Sequence, residues 1–246
     1  LGQRVHGLHI RKEGSTEFLY LCDTQRGLVV KTTLDGEEVF ALGYPSESDA
    51  YKPNADGAKK KYSPTNLAIA PNGDIYVGDG YGSSYVNVYN KDGNYLKTFG
   101  GKGAEDGKLD CPHGVVLDTR AAGGPTLMIA DRANHRIQTF NLAGEHVGYW
   151  PGTNLPCNFD FNAKGEVVVP DLGARVTLLD KQNAVICQLG DDSTANTWDK
   201  VRKLDRTAFQ PGKFVCPHGA CYDHNGNIFV VEWVEVGRVS KLRYIA

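Results

Sequence analysis

CPHGVVLDTRAAGGPTLMIADRANHRIQTF, running from Cys111 to Phe140, holds two short apolar runs separated by a glycine-bearing turn, and the second run ends in an acid, Asp131. The same order of features returns in CPHGACYDHNGNIFVVEWVEVGRVSKL, from Cys216 to Leu242. Three further stretches align in phase: VHGLHIRKEGSTEFLYLCDTQRGLVVKTTLDGE from Val5, SPTNLAIAPNGDIYVGDGYGSSYVNVYNKDGN from Ser63, and LPCNFDFNAKGEVVVPDLGARVTLLDKQN from Leu155. Apolar runs of about five residues, rich in Val, Ile, Leu and Tyr, read as strands, and no stretch sustains a helical period. The pairs Asn72-Gly73, Asn225-Gly226, Asp35-Gly36 and Asp92-Gly93 supply the positive φ that tight hairpins need.

Each unit is therefore expected to be a four-stranded antiparallel meander. A meander cannot bury both faces alone, and copies that pack face to face around an axis solve that problem. The expected fold is an all-β propeller, one domain over 1–246, with blades starting near residues 5, 63, 111, 155 and 216. The last repeat has room for only three strands after His218. Either Leu1 to Val5 helps close the ring, or an upstream blade is absent from this chain, and six blades are expected in all.

The blade number matters because of the histidines. Just before the first strand's glycine, the five units carry His6, Thr65, His113, Cys157 and His218, so histidine occupies every second unit. In a six-bladed ring those three positions stand a third of a turn apart on the innermost strands and converge on the central channel; in a five-bladed ring they would not. Three imidazoles around one point make a zinc site with an open fourth position, the arrangement of catalytic zinc. The alternative is that each histidine caps a strand start and bonds a carbonyl. His9, His135, His146 and His224 fall outside the phase and read as surface or packing residues.

In a meander the turn after the second strand lies on the same face as the start of the first. That places Tyr81, in Asp79-Gly80-Tyr81-Gly82, and Arg132, in Asp131-Arg132-Ala133-Asn134, above the histidines. A phenol is a candidate general base and a guanidinium a candidate carboxylate clamp. The acids that end the second strands, Asp23, Asp79, Asp131, Asp171 and Glu232, recur in every unit and read as structural acceptors of backbone N–H groups. Cys111 and Cys216 precede His113 and His218 by two residues and read as small apolar wall residues rather than ligands, while Cys157 holds the histidine phase itself. The long segments from Tyr44 to Tyr62 and from Asp191 to Phe214 either shape substrate access or are surface insertions.

Composition narrows the function classes. The chain has 246 residues with 27 Lys+Arg against 29 Asp+Glu, a net charge of −2 that argues against nucleic acid as a partner. No apolar run is long enough for a membrane span, and the sequence carries no export signal of its own. Six cysteines without a CxxC pair indicate neither a zinc ribbon nor a defined disulfide framework. A monomer is expected.

With these residues in view, DRANHRIQTF resembles the NHL repeat, and the whole chain resembles the peptidyl-α-hydroxyglycine α-amidating lyase unit of the peptidylglycine amidating enzymes. The resemblance rests on VHGL at His6, CPHG at His113 and at His218, PTNLAI with GDGY at Tyr81, and ADRANHRIQ at Arg132. It implies a six-bladed, exported carbon–nitrogen lyase that splits a peptide's C-terminal α-hydroxyglycine into a peptide amide and glyoxylate. It also implies zinc on His6, His113 and His218, with Tyr81 as catalytic base and Arg132 in the active site. Calcium is a doubtful cofactor, because Gly219 stands where the family has an acid after the third histidine. The family's further catalytic arginine lies upstream of the first zinc histidine and has no counterpart in the chain as read. A related metal-dependent propeller enzyme acting on a small hydroxylated or carboxylate-bearing substrate is the broader form of that expectation, and the competing one is a non-catalytic NHL propeller that displays its loops to a protein or glycan.

Overall fold

Strand formation follows the repeat. The computed structural model describes residues 5–192 and 198–245. The first sheet holds β1 (Val5–Glu13), β2 (Thr16–Asp23), β3 (Leu28–Thr33) and β4 (Glu38–Leu42), and the second holds β5 (Asn66–Ile69), β6 (Ile75–Gly78), β7 (Tyr85–Tyr89) and β8 (Tyr95–Gly100). The third contains β9 (Pro112–Asp118), β10 (Thr126–Asp131), β11 (Arg136–Phe140) and β12 (His146–Trp150). The fourth contains β13 (Asp160–Phe161), β14 (Val167–Asp171), β15 (Arg175–Leu179) and β16 (Val185–Leu189). The last has β17 (Pro217–Tyr222), β18 (Ile228–Glu232) and β19 (Arg238–Leu242). In every sheet the strands pair in chain order, so each is a meander.

These are the antiparallel blades of an all-β propeller, and they correct the expected blade number. Among the described residues there are five blades rather than six, and the fifth has three strands. The expectation of a sixth rests on the histidine spacing and on the family resemblance, whereas each of the five repeats builds one blade. Closure by Leu1 to Val5 lies outside the described residues except for Val5, which opens β1 opposite Asp23.

Local chemistry fixes the turns. Asn90, Asn141, Asn162, Asp180 and Asp223 each use a side-chain oxygen to accept backbone N–H groups two or four residues on, closing the hairpins that glycine or asparagine then turns. Second strands such as β6, β10 and β14 are buried along nearly their whole length, which explains their unbroken apolar runs. Fourth strands such as β12 and β16 have no fully buried residue, so their apolar residues are diluted by polar ones.

The chain forms two compact units, Leu1–Ile129 with Gln138–Gly148, and Ala130–Ile137 with Tyr149–Ala246. The first has cores built on Leu67, Ile75 and Val77 and on Val86, Leu127 and Phe140. The second packs Val168, Val176, Phe214, Ile228 and Val230 together. Burying each large aliphatic or aromatic side chain contributes about 1.5–3 kcal/mol. Among the described residues no helix is long and apolar enough to cross a membrane.

Candidate active site

In the first unit the site begins at an irregularity in β1. Val5 pairs with Asp23 and Leu8 with Leu21, so His6 and Gly7 together face the single residue Cys22. Such a bulge re-aims the side chain that carries it. His6 Nδ1 donates to the Thr65 carbonyl at 2.7 Å, which in the neutral ring makes Nε2 the lone-pair nitrogen. Gly7 is required for this approach, because a Cβ there would stand 2.6 Å from Thr65 O and 2.8 Å from Asn66 Cα. Thr65, which occupies the histidine phase of the second repeat, also donates its hydroxyl to the Pro112 carbonyl at 2.7 Å. One buried threonine thus orients His6 and ties down the residue before His113.

Tyr81 meets both imidazoles. Its hydroxyl lies 3.2 Å from His6 Nε2 and 2.9 Å from His113 Nε2. The rings meet edge to face, with centroids 5.1 Å apart for His6 and Tyr81 and 4.6 Å apart for the two histidines. His113 is 2% exposed, so its nitrogens have no bulk water to fall back on.

The turn that carries Tyr81 is held by Asp79. This buried carboxylate accepts from Ser63 N and Ser83 N, each at 2.6 Å, and from the Tyr51 hydroxyl at 2.6 Å. Tyr81 N itself donates to Ser63 O. Gly80 lets the turn pass against the neighbouring blade, since a Cβ there would run into Pro112 O and the Thr65 side chain. Burial pushes the Asp79 carboxyl up to about 6, against the opposing pull of those three donors and of Lys61.

In the second unit His218 is the extra residue of another bulge, where Pro217 pairs with Glu232 and Gly219 with Val231. His218 is half-buried. Arg132 opens a single 3-10 turn, Arg132–Asn134, and is also half-buried. The recurrent acids mainly tie turns to strands. Asp131 accepts from Asn134 and Arg136, Asp171 from Arg175 and Thr177, and Glu232 from Val215 N, Cys216 N and Arg238. In the first unit Asp23 accepts from Gln25 N and Arg26 N.

Among the described residues no cysteine joins a metal-capable group. Cys157 is fully buried against Leu172, Val215 and Val234, and burial pushes the Cys216 thiol up to about 12. Both are therefore thiols at neutral pH or shut away from solvent. The remaining histidines serve locally: burial and then Arg11 push His9 down, His135 meets Asn154, His146 packs on Phe140, and His224 meets Asn225.

Within the first unit His6 and His113 offer imidazole nitrogens that could serve a metal ion, and His218 belongs to the second unit. The donor chemistry fits one. His6 turns its N–H to a carbonyl and leaves Nε2 inward, the pattern by which outer partners orient metal-binding imidazoles. Tyr81 Oη faces two imidazole nitrogens, and the lone pair that the Nδ1–H bond leaves on His6 Nε2 is available either to the Tyr81 proton or to a cation.

No protein-family model matches the chain. Among curated proteins, human NHL repeat-containing protein 3 is 28% identical over 152 residues, covering 59% of this chain and 42% of that protein. Peptidyl-alpha-hydroxyglycine alpha-amidating lyase 1 of Drosophila melanogaster is 30% identical over 146 residues, covering 55% and 25%. The relatives are thus NHL repeat proteins and peptidylglycine amidating enzymes at modest identity, and the chain spans less than half the length of each. A Staphylococcus aureus virginiamycin B lyase solved with quinupristin superposes with a TM-score of 0.61 at 11% identity, covering 98% of this chain and 70% of that one. A Bacteroides caccae protein of unknown function gives 0.62 at 12%, covering 98% and 79%. At such identities these structures share the fold.

Proposed function

We propose that the protein is a zinc-dependent lyase of the peptidyl-α-hydroxyglycine amidating type, exported from the cell, with a peptide's C-terminal α-hydroxyglycine as substrate. The observation that carries the reading is the Tyr81 hydroxyl held within hydrogen-bond reach of two histidine nitrogens. His6, His113 and His218 would hold the metal. Bound there, zinc supplies Lewis-acid polarisation of a substrate oxygen and a positive field that favours the Tyr81 phenolate. Tyr81 Oη takes the proton of the substrate hydroxyl. The electrons of that O–H bond become the carbonyl of glyoxylate, the C–N bond breaks, and the departing amide nitrogen gains a proton. Arg132 is assigned to the substrate carboxylate, where a guanidinium can make two parallel bonds. The lyases among the relatives and structural neighbours support this reading.

The test is glyoxylate release from a synthetic peptide ending in α-hydroxyglycine, followed by mass spectrometry. Wild-type protein releases glyoxylate and peptide amide in equal amounts. Tyr81→Phe lowers kcat by roughly 10²- to 10⁴-fold while retaining its zinc, the range for loss of a positioned base. A zinc-loaded wild type that turns over no such peptide would sink the reading. The similarity to NHL repeat-containing protein 3 favours a second reading, a non-catalytic scaffold, and that result would leave it standing.

A further inference from the structure

Four of the five acids that end second strands have an arginine. Arg26 stands 3.9 Å from Asp23, Arg136 is 2.7 Å from Asp131, Arg175 is 3.0 Å from Asp171, and Arg238 is bonded to Glu232. Three of these arginines open the third strand of their blade. Asp79 differs: the residue that opens its third strand is Tyr85, and Asp79 makes no ion pair among the described residues. The vacant role is filled from elsewhere in the chain. Tyr51, from the long segment between β4 and β5, is 1% exposed, packs its ring 5.4 Å from that of Tyr85, and gives its hydroxyl proton to Asp79. The direction of that bond is set, because Asn87 Nδ2 donates to the Tyr51 oxygen at 3.1 Å and Thr98 donates to Asn87 Oδ1 at 2.7 Å. Tyr44 donates its hydroxyl to the Tyr51 carbonyl and so holds the segment in place.

We infer that Tyr51 and Asp79 are positioning residues for Tyr81, a phenol-to-carboxylate clamp that replaces the arginine of the sister blades and sets the turn presenting the Tyr81 hydroxyl to His6 and His113. The inference rests on the reading of Tyr81 as catalytic base. The two Asp79 oxygens divide the work: one accepts Ser63 N, and the other accepts both Ser83 N and the Tyr51 hydroxyl, so the carboxylate holds the turn from both sides of Tyr81. Gly82 sits so close to Asp79 that a Cβ there would overlap the carboxylate, which leaves the clamp little room to shift. The segment from Tyr44 to Tyr62 thus has a task at the site, through Tyr51.

The experiment compares Tyr51→Phe with Tyr76→Phe, a control that removes another buried tyrosine hydroxyl, one bonded to the Leu142 carbonyl. Hydrogen exchange is followed on the peptide spanning residues 79–84, and steady-state kinetics and zinc content are measured on the same samples. Tyr51→Phe is expected to speed exchange in that peptide roughly tenfold or more, the effect of losing a hydrogen bond to a charged acceptor. It lowers kcat by a similar factor, with KM within about twofold and zinc unchanged. Tyr76→Phe leaves the peptide and kcat as in wild type. Unchanged exchange in Tyr51→Phe, or equal effects in both variants, overturns the clamp. If the wild type proves inactive on α-hydroxyglycine peptides, the exchange comparison still decides the clamp while the lyase reading fails separately. Should Tyr51→Phe not fold, Thr98→Val, which releases the Asn87 amide, is read by the same exchange criterion.

Discussion

At Tyr81 a single hydroxyl meets two imidazole nitrogens, and at Asp79 a single carboxylate is surrounded by donors yet buried enough to resist ionisation. The two facts are linked through the turn between them. Burial outweighs the hydrogen bonds at Asp79 and raises it from the ordinary 3.8 to about 6. A carboxyl raised on folding contributes stability that is complete below the unfolded value, near pH 4, and is lost as pH climbs through the folded value, near pH 6. The size of the loss is about 3 kcal/mol. Urea unfolding of wild type against Asp79→Asn, run from about pH 4 to pH 7, should show the wild type losing roughly that much relative to the variant. A gap that stays constant with pH would mean that folding does not raise the Asp79 carboxyl. Part of this was readable from residues alone: the phase of His6, His113 and His218 and the place of Tyr81 followed from the repeat. Tyr51 was not, because its contact with Asp79 spans an irregular segment without periodicity, although the missing arginine after Asp79 in GDGYGSSY was there to notice.

Strands and turns place these residues by two devices, the bulge and the close approach. His6 and His218 each sit where a first strand carries a residue more than its partner, which turns the side chain out of the regular alternation. A bulge leaves no mark on a pattern of short apolar runs, so the sequence showed where the histidines are but not how they are aimed. The hairpins were legible, since Asn72-Gly73 and Asn225-Gly226 require particular backbone angles, and Gly73 and Gly226 adopt positive φ. Close approach is the function of Gly80, whose neighbours are a backbone carbonyl and a buried threonine that have no room to give. Gly80→Ala should cost roughly 1–3 kcal/mol in urea unfolding, the usual price of overpacking, and should depress kcat by displacing Tyr81. An alanine tolerated at full stability and full activity would show that the turn relaxes freely and that the approach has no role.

On the scale of the molecule, five repeats give five blades among the described residues, a count the repeats themselves make available. The expectation of a sixth rests on the family resemblance and on the symmetry argument applied to the histidines, which presumes regular blades and ideal geometry. His6 and His113 nevertheless meet within one unit, with Thr65 bonded to the first and to the residue before the second, so local bonding achieves what ring symmetry was invoked to explain. The fold alone leaves function open, as the mixture of lyases and NHL repeat proteins among the relatives shows. The central claim is that three histidines hold zinc beside Tyr81, and its most direct test is elemental mass spectrometry of protein purified without added metal, alongside His6→Ala, His113→Ala and His218→Ala. The account predicts about one zinc per chain in the wild type, as for a three-histidine site, and its loss in each variant with folding retained. Folded wild-type protein without zinc, or zinc retained undiminished in all three variants, would contradict it.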